Sequence, residues 1–199
     1  MVDSLMCIGS ACEGHEFAKK INLRIKGPVD NLDGRSFFSV IKLFDGTFEK
    51  EIQNKSYRKF KIAHPELWRT LEYGYSLDES GYTIVHNDIT QVSVYTEMLE
   101  RINIFKKYVK LAEKNPNMYF LYTVSGDDIK LKEDDIQNVL SQLPKEVVSK
   151  IIIIQDRFYN EAFTKFFPVI RYNNSDEFWY ETIDHAQKRF QDFIKANNL

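Results

Sequence analysis

The sequence predicts an α/β protein, a three-layer α/β/α sandwich built on a mostly parallel sheet of about five strands. Three observations lead there. Met118–Val124 (MYFLYTV) and Lys150–Gln155 (KIIIIQ) are nearly free of polar residues, as strands covered on both faces are. Amphipathic stretches at helical spacing separate such runs. The strand–helix alternation recurs about five times, and parallel strands need such crossovers. At 199 residues, with 43% hydrophobic and 28% charged content, the chain suits one globular domain spanning 1–199.

The elements follow in order. An opening strand, Leu5–Ile8, stops at the turn Gly9-Ser10-Ala11, and a helix starts at Cys12 with Phe17, Ala18, Ile21 and Leu23 on its apolar side. Glu13 and Glu16 stand early in that helix and Lys19 and Lys20 late, as the helix dipole favours. Lys26–Asn31 is loop, and a second helix is expected over Gly34–Phe44. Residues 47–80 hold aromatic and aliphatic anchors without a sustained period. They are expected to form an irregular insertion of short helices and loops, with Pro65 barring a long helix and Asp78–Gly81 as a turn.

Order returns with Gly81–His86, a β-branched run expected to be the second strand of the parallel sheet. A long helix follows over Thr90–Lys114, then the strand Met118–Val124, a helix over Asp134–Leu143 ended by Pro144, and the strand Lys150–Gln155. Pro168–Tyr172 is expected to be an edge strand, where proline is tolerated, and one helix over Asp176–Ala196 closes the chain.

Composition excludes several function classes. A net charge of −2 with interleaved Lys, Arg, Asp and Glu points away from nucleic acid. No window approaches the ~18 apolar residues of a membrane span, and no basic leader precedes the first strand. Cys7 and Cys12 form no disulfide framework, so two free thiols in a reducing compartment, the cytoplasm, are expected. The four histidines lack metal-ligand spacing, so no metal is expected. Gly9 and Gly14 alone leave the dinucleotide fingerprint incomplete and there is no Walker lysine, so no cofactor is expected either.

In parallel α/β sheets, ligands bind beyond the carboxyl ends of the strands. The residues to weigh are therefore Ser10 and Cys12, His86–Asp88, Ser125–Asp128, Gln155–Arg157 and Asn173–Asp176. Cys12 is the sharpest, because a helix N-terminus favours a thiolate. Cys7, inside the strand pattern, is core packing. His86 has the chemistry to serve as base, its imidazole titrating near working pH. Asp30 or Asp88 could hold that imidazole in the useful tautomer, although Asp88 also suits the cap of the long helix. His15, three residues past Cys12, is an alternative base, with surface exposure the plainer expectation. Gly9, Ser10, His15, Asn31 and Asn87 are the candidate binding residues around these groups. Ser10 as a serine-esterase nucleophile is disfavoured, since no Gly-Asp-Ser tripeptide surrounds it.

Ile8-Gly9-Ser10-Ala11-Cys12-Glu13, then Leu23-Arg24, Gly27-Pro28-Val29-Asp30 and Val85-His86-Asn87-Asp88 before a long helix, resembles a family of uncharacterised bacterial proteins classed as papain-like cysteine peptidases. The likeness spans about the first 125 residues and rests on an S-L-G-x-x-C opening, a P-F-D-W-like turn and an H-D-like element. It implies Cys12 as nucleophile, His86 as base and Asp30 as supporting carboxylate. Val29 and Leu32 replace aromatic residues of that pattern, Asn87 separates His86 from Asp88, and Phe120–Thr123 lacks an expected arginine. Papain-type enzymes pair the cysteine helix with an antiparallel sheet, so the resemblance implies thiol chemistry more than peptide hydrolysis. Such proteins often accompany surface-polysaccharide enzymes, which keeps a glycan substrate open. The expected function is a cysteine-dependent hydrolase or acyl-transferase acting on a small-molecule, peptide or glycan substrate. The alternative is a nucleotide-sugar or glycan transferase or binding protein that uses the same crevice with Cys12 structural. A non-catalytic interaction protein contacting through Tyr57–Trp68 is a third class.

Overall fold

The computed structural model describes residues 2–9, 12–30, 32–34, 36–63, 65 and 71–199; of Cys12, Asp33, Gly34 and Ser175 it describes the backbone alone. The chain is an α/β sandwich on a five-stranded, wholly parallel sheet. Its strands are β1 (Ser4–Gly9), β2 (Arg24–Ile25), β7 (Met118–Thr123), β8 (Ile151–Gln155) and β9 (Val169–Arg171), in spatial order β2-β1-β7-β8-β9. The period-2 alternation of each strand sends side chains to two separate cores. Met6, Ile8, Phe120, Tyr122, Ile151 and Ile153 enter one, and Leu5, Cys7, Leu121, Ile152 and Ile154 the other.

Helices cover both faces. Helix α1 (Cys12–Lys20) and the C-terminal α8 (Ile183–Asn197) bring Phe17, Ala18, Ala186, Phe190 and Phe193 to the second core. On the first face lie α2 (Ser39–Phe44), the long α4 (Val92–Ala112) and α5 (Glu133–Gln142), with Ile41, Met98, Ile102, Phe105, Ile136 and Val139 buried. Short helices α3 (Thr47–Gln53), α6 (Lys145–Val148) and α7 (Ser175–Tyr180) lie between the larger elements. Among the described residues, no helix is long and apolar enough to cross a membrane.

The expectation fails in one region. The run after Gly81 does not join the parallel sheet. As β6 (Tyr82–Ile84) it lies in a second, antiparallel sheet of order β3-β6-β5-β4, with β3 (Leu32–Gly34), β4 (Arg58–Lys61) and β5 (Tyr73–Leu77). Gly81, at φ 76°, supplies the left-handed turn that folds β5 back on β6. Thr83 is half-buried between buried Tyr82 and Ile84, the alternation of a sheet with one face in the core. The fifth parallel strand is instead the two-residue β2. Residues 47–80 are likewise no irregular insertion: they hold α3, β4 and β5. β4 escapes the sequence because it is a charged edge, Arg58-Lys59-Phe60-Lys61, of the kind that blunts further strand pairing.

Two helices also differ from expectation. The second starts at Ser39, not Gly34, because Leu32–Gly34 pairs with β6. The C-terminal helix is broken after Tyr180, where the Thr182 side chain accepts the His185 N–H and caps a fresh helix. The two sheets share one apolar cluster, in which Tyr75, Leu77, Tyr82 and Ile84 lie with Met6, Ile8, Phe120 and Tyr122.

Candidate functional site

The strand order puts the switch point between β1 and β7. The chain leaves β1 through α1 toward β2 on one side, and β7 pairs on the other. Ligand crevices in such sheets open at that point, beyond the strand carboxyl ends.

Gly9 ends β1 after a register shift between Cys7 and Gly9 that opposes Gly9 to Tyr122. A side chain there is impossible without movement: an added Cβ would sit 2.6 Å from Tyr122 Cε2 and 2.9 Å from Cδ2. The Tyr122 ring cannot easily yield, since its hydroxyl donates to Asp128 Oδ2 at 2.6 Å. That oxygen also accepts from the Ser125 N–H at 2.8 Å and the Ser125 hydroxyl at 2.9 Å, and Asp128 Oδ1 accepts from the Phe37 N–H at 2.7 Å. Asp128 is fully buried, and burial pushes its carboxyl above the usual range although all four donors pull the other way. From the second sheet, Tyr82 donates its hydroxyl to the Ile8 carbonyl at 2.9 Å. The end of β1 is therefore held from both sides.

Cys12 is the first residue of α1. The helix lies close over the sheet because Gly14 has no side chain: an added Cβ would stand 3.0 Å from Thr123 Oγ1 and 3.2 Å from Cys7 Sγ. Cys7 is buried in the core on the α1 side of the sheet, as the strand pattern implied.

His15 is a correction. It is 6% exposed rather than a surface residue. Its Nε2 lies 2.9 Å from Glu16 Oε1, the distance of an N–H donating to a carboxylate, and Nδ1 is buried without a hydrogen bond among the described residues. Burial, with Arg24 nearby, lowers its pKa against the opposing pull of Asp30 and Glu16, which favours a neutral imidazole. Asp30, its side chain wholly buried, accepts from Arg24 through Oδ2 at 2.8 and 3.2 Å, while Oδ1 receives no hydrogen bond among the described residues. Its backbone carbonyl accepts from Arg101 at 3.2 Å.

His86 and Asn87 are half-buried and follow β6, not a parallel strand. The β3–β6 ladder ends with Leu32 opposite Ile84, so Asp30 precedes and His86 follows the same end of one ladder, each by two residues. Asp88 turns elsewhere, accepting from the Tyr75 hydroxyl at 2.7 Å, the Thr90 hydroxyl at 2.6 Å and the Thr90 N–H at 3.1 Å. The bonds from Thr90 and then Tyr75 hold its carboxyl below the usual range. Nor does Asp88 cap α4, whose flanking residue is Gln91. Ser10 and Asn31 lie outside the described residues, as does the Cys12 side chain.

A second group was missed except for its position after a strand. Glu13, 2% exposed, accepts from Arg157 at 2.7 Å across 144 residues of chain. Asp156 follows β8 and is buried, as is Thr123 at the end of β7. Among the described residues no group of three His, Cys, Asp or Glu side chains is placed to hold a metal ion.

Comparison with protein-family models, with curated proteins and with solved structures finds no match to this chain.

Proposed function

We propose that the chain is a cysteine-dependent hydrolase or acyl-transferase working at the carboxyl edge of its parallel sheet. The observation that carries the reading is that α1 begins at the β1–β7 switch point with Cys12 as its first residue. In the proposed cycle Cys12 attacks a carbonyl carbon after its thiol proton passes to the His86 imidazole. His86 returns that proton to the leaving group, and water or an acceptor nucleophile then releases the acyl group. Backbone N–H groups of the first turn of α1 stabilise the oxyanion. Asp30 is the better orienter of the two carboxylates. Arg24 occupies only its Oδ2, leaving Oδ1 to accept an imidazole N–H, whereas Asp88 is taken up by Tyr75 and Thr90. A reducing, cytoplasmic setting suits a free thiol.

The strand order also favours a second reading, a nucleotide-sugar or phosphorylated-glycan site with Cys12 structural. Against it, three carboxyl groups, Glu13, Asp30 and Asp156, are buried at this edge, and the two guanidiniums there, Arg157 and Arg24, are already engaged by Glu13 and Asp30 rather than open to an anion. Alkylation of Cys12 by iodoacetamide, followed from pH 5 to 10, separates the two. The thiol reading expects a thiolate that titrates well below the ordinary ~8.5 and returns toward it in His86→Ala. An ordinary thiol, together with a rise in Tm on adding a nucleoside diphosphate, would replace it with the second reading.

A further inference from the structure

The carboxyl ends of β7 and β8 carry buried oxygens that accept no hydrogen bond among the described residues. Asp156 has a side chain 1% exposed, and neither of its carboxylate oxygens receives a hydrogen bond among the described residues. The nearest cation, Arg157 Nε, is 3.9 Å from Oδ2, beyond hydrogen-bond reach. Thr123 Oγ1 is buried and likewise has no hydrogen-bond partner among the described residues. The two lie on the same side of the sheet as α1. Ile152 and Ile154 alternate into that core and continue to position 156, as Leu121 continues to Thr123. Gln155, with its own orphan oxygen, falls on the opposite face.

Charge sharpens the picture. Glu13 and Asp156 share one guanidinium, that of Arg157, which is committed to Glu13 at 2.7 Å. Among the described residues the two buried carboxyl groups have this one guanidinium between them, a costly arrangement in a desolvated place unless something supplies donors and a positive charge. His15 does not supply it, since burial keeps that imidazole toward its neutral form. A phosphate or carboxylate ligand would add acceptors where acceptors are already in excess. A primary ammonium has three donors, no acceptor and unit charge. Arg157, 41% exposed, connects this buried pair to solvent.

We propose that Asp156, with Thr123, forms a subsite for a primary ammonium group carried by the substrate or by the acyl acceptor. This rests on the thiol reading for its place in a reaction, and it assigns the amino-bearing side of that reaction to the start of α1. The test uses the whole chain and n-propylammonium chloride as probe, with sodium chloride at equal ionic strength as control. Without probe, Asp156→Asn raises Tm by about 2–4 °C, because a buried carboxylate with no hydrogen-bond donor among the described residues is gone. With up to about 100 mM probe, Tm of the unmodified protein rises beyond the salt control and that of Asp156→Asn does not. Thr123→Val retains part of the response. A fall in Tm for Asp156→Asn, or an equal probe response in both proteins, overturns the subsite. Failure of the thiol reading would look different: an ordinary Cys12 alkylation profile with the ammonium response intact.

Discussion

Replacing Asp128 with alanine tests how the carboxyl edge is held. The side chain gathers four donors, from Tyr122, Phe37 and twice from Ser125. Ser125 is part-buried and can turn to water, but the Tyr122 hydroxyl and the Phe37 N–H are buried. Each buried donor left unsatisfied costs about 1–3 kcal/mol, so the loss is about 3–4 kcal/mol for the two after relief of the carboxylate's own desolvation. For a chain of this length that lowers Tm by about 6–16 °C. Urea unfolding at pH 7 measures the free energy, and Cys12 alkylation reads the edge itself, since Tyr122 packs on Gly9. Asp128→Asn keeps the shape and loses less, because one amide oxygen still accepts. Burial raises the Asp128 pKa, so protonation favours the folded state. That contribution is full below the ordinary value of 3.8 and is lost as pH rises through the folded value. The advantage of the natural residue over Asn therefore shrinks with rising pH across that window. A cost for Asp128→Ala under about 1 kcal/mol with an unchanged alkylation profile would refute the reasoning, because it would mean the buried donors find other partners.

Two further outcomes are expected. His15 is held neutral, with a folded pKa below 6.5, so the unfolded chain binds the proton first and stability falls as pH drops from about 6.5 toward the folded value. Denaturation midpoints across pH 5–8 should show that slope, and His15→Gln should flatten it. Gly9→Ala should cost about 1–3 kcal/mol, the range for overpacking, since its Cβ would meet a tyrosine ring anchored at both ends. A neutral Gly9→Ala in thermal unfolding would show that Tyr122 can tilt aside.

Much of the sandwich was written in local pattern. MYFLYTV and KIIIIQ are strands because nothing in them can face water, and Pro168 marked an edge that is indeed β9, at the rim of the sheet. The helices α1, α4 and α5 follow from apolar spacing, and α5 ends where Pro144 stands. What failed was partnership. Tyr82-Thr83-Ile84 reads as a strand in either sheet, and only its pairing with β3 and β5 shows it to be antiparallel. Arg24–Ile25 has no strand signature at all, being two half-buried residues fixed by contact with Leu5 and Met6. The long-range ion pairs were invisible for the same reason. Glu13 reads as a helix-dipole residue and Arg157 as loop until the fold brings them to 2.7 Å.

The sequence by itself determined the fold class, the strand that stops at Gly9 and the helix that opens on Cys12, because these depend on neighbours a few residues apart. Only the tertiary structure decided that His86 follows a strand of a second sheet, that His15 is buried rather than exposed, and that Asp30 answers to Arg24. It also decided that Asp156 lies buried without a hydrogen-bond donor among the described residues. Those outcomes depend on which surfaces meet. Burial, charge pairing and unmet hydrogen bonds belong to the assembled chain, and no spacing along it encodes them.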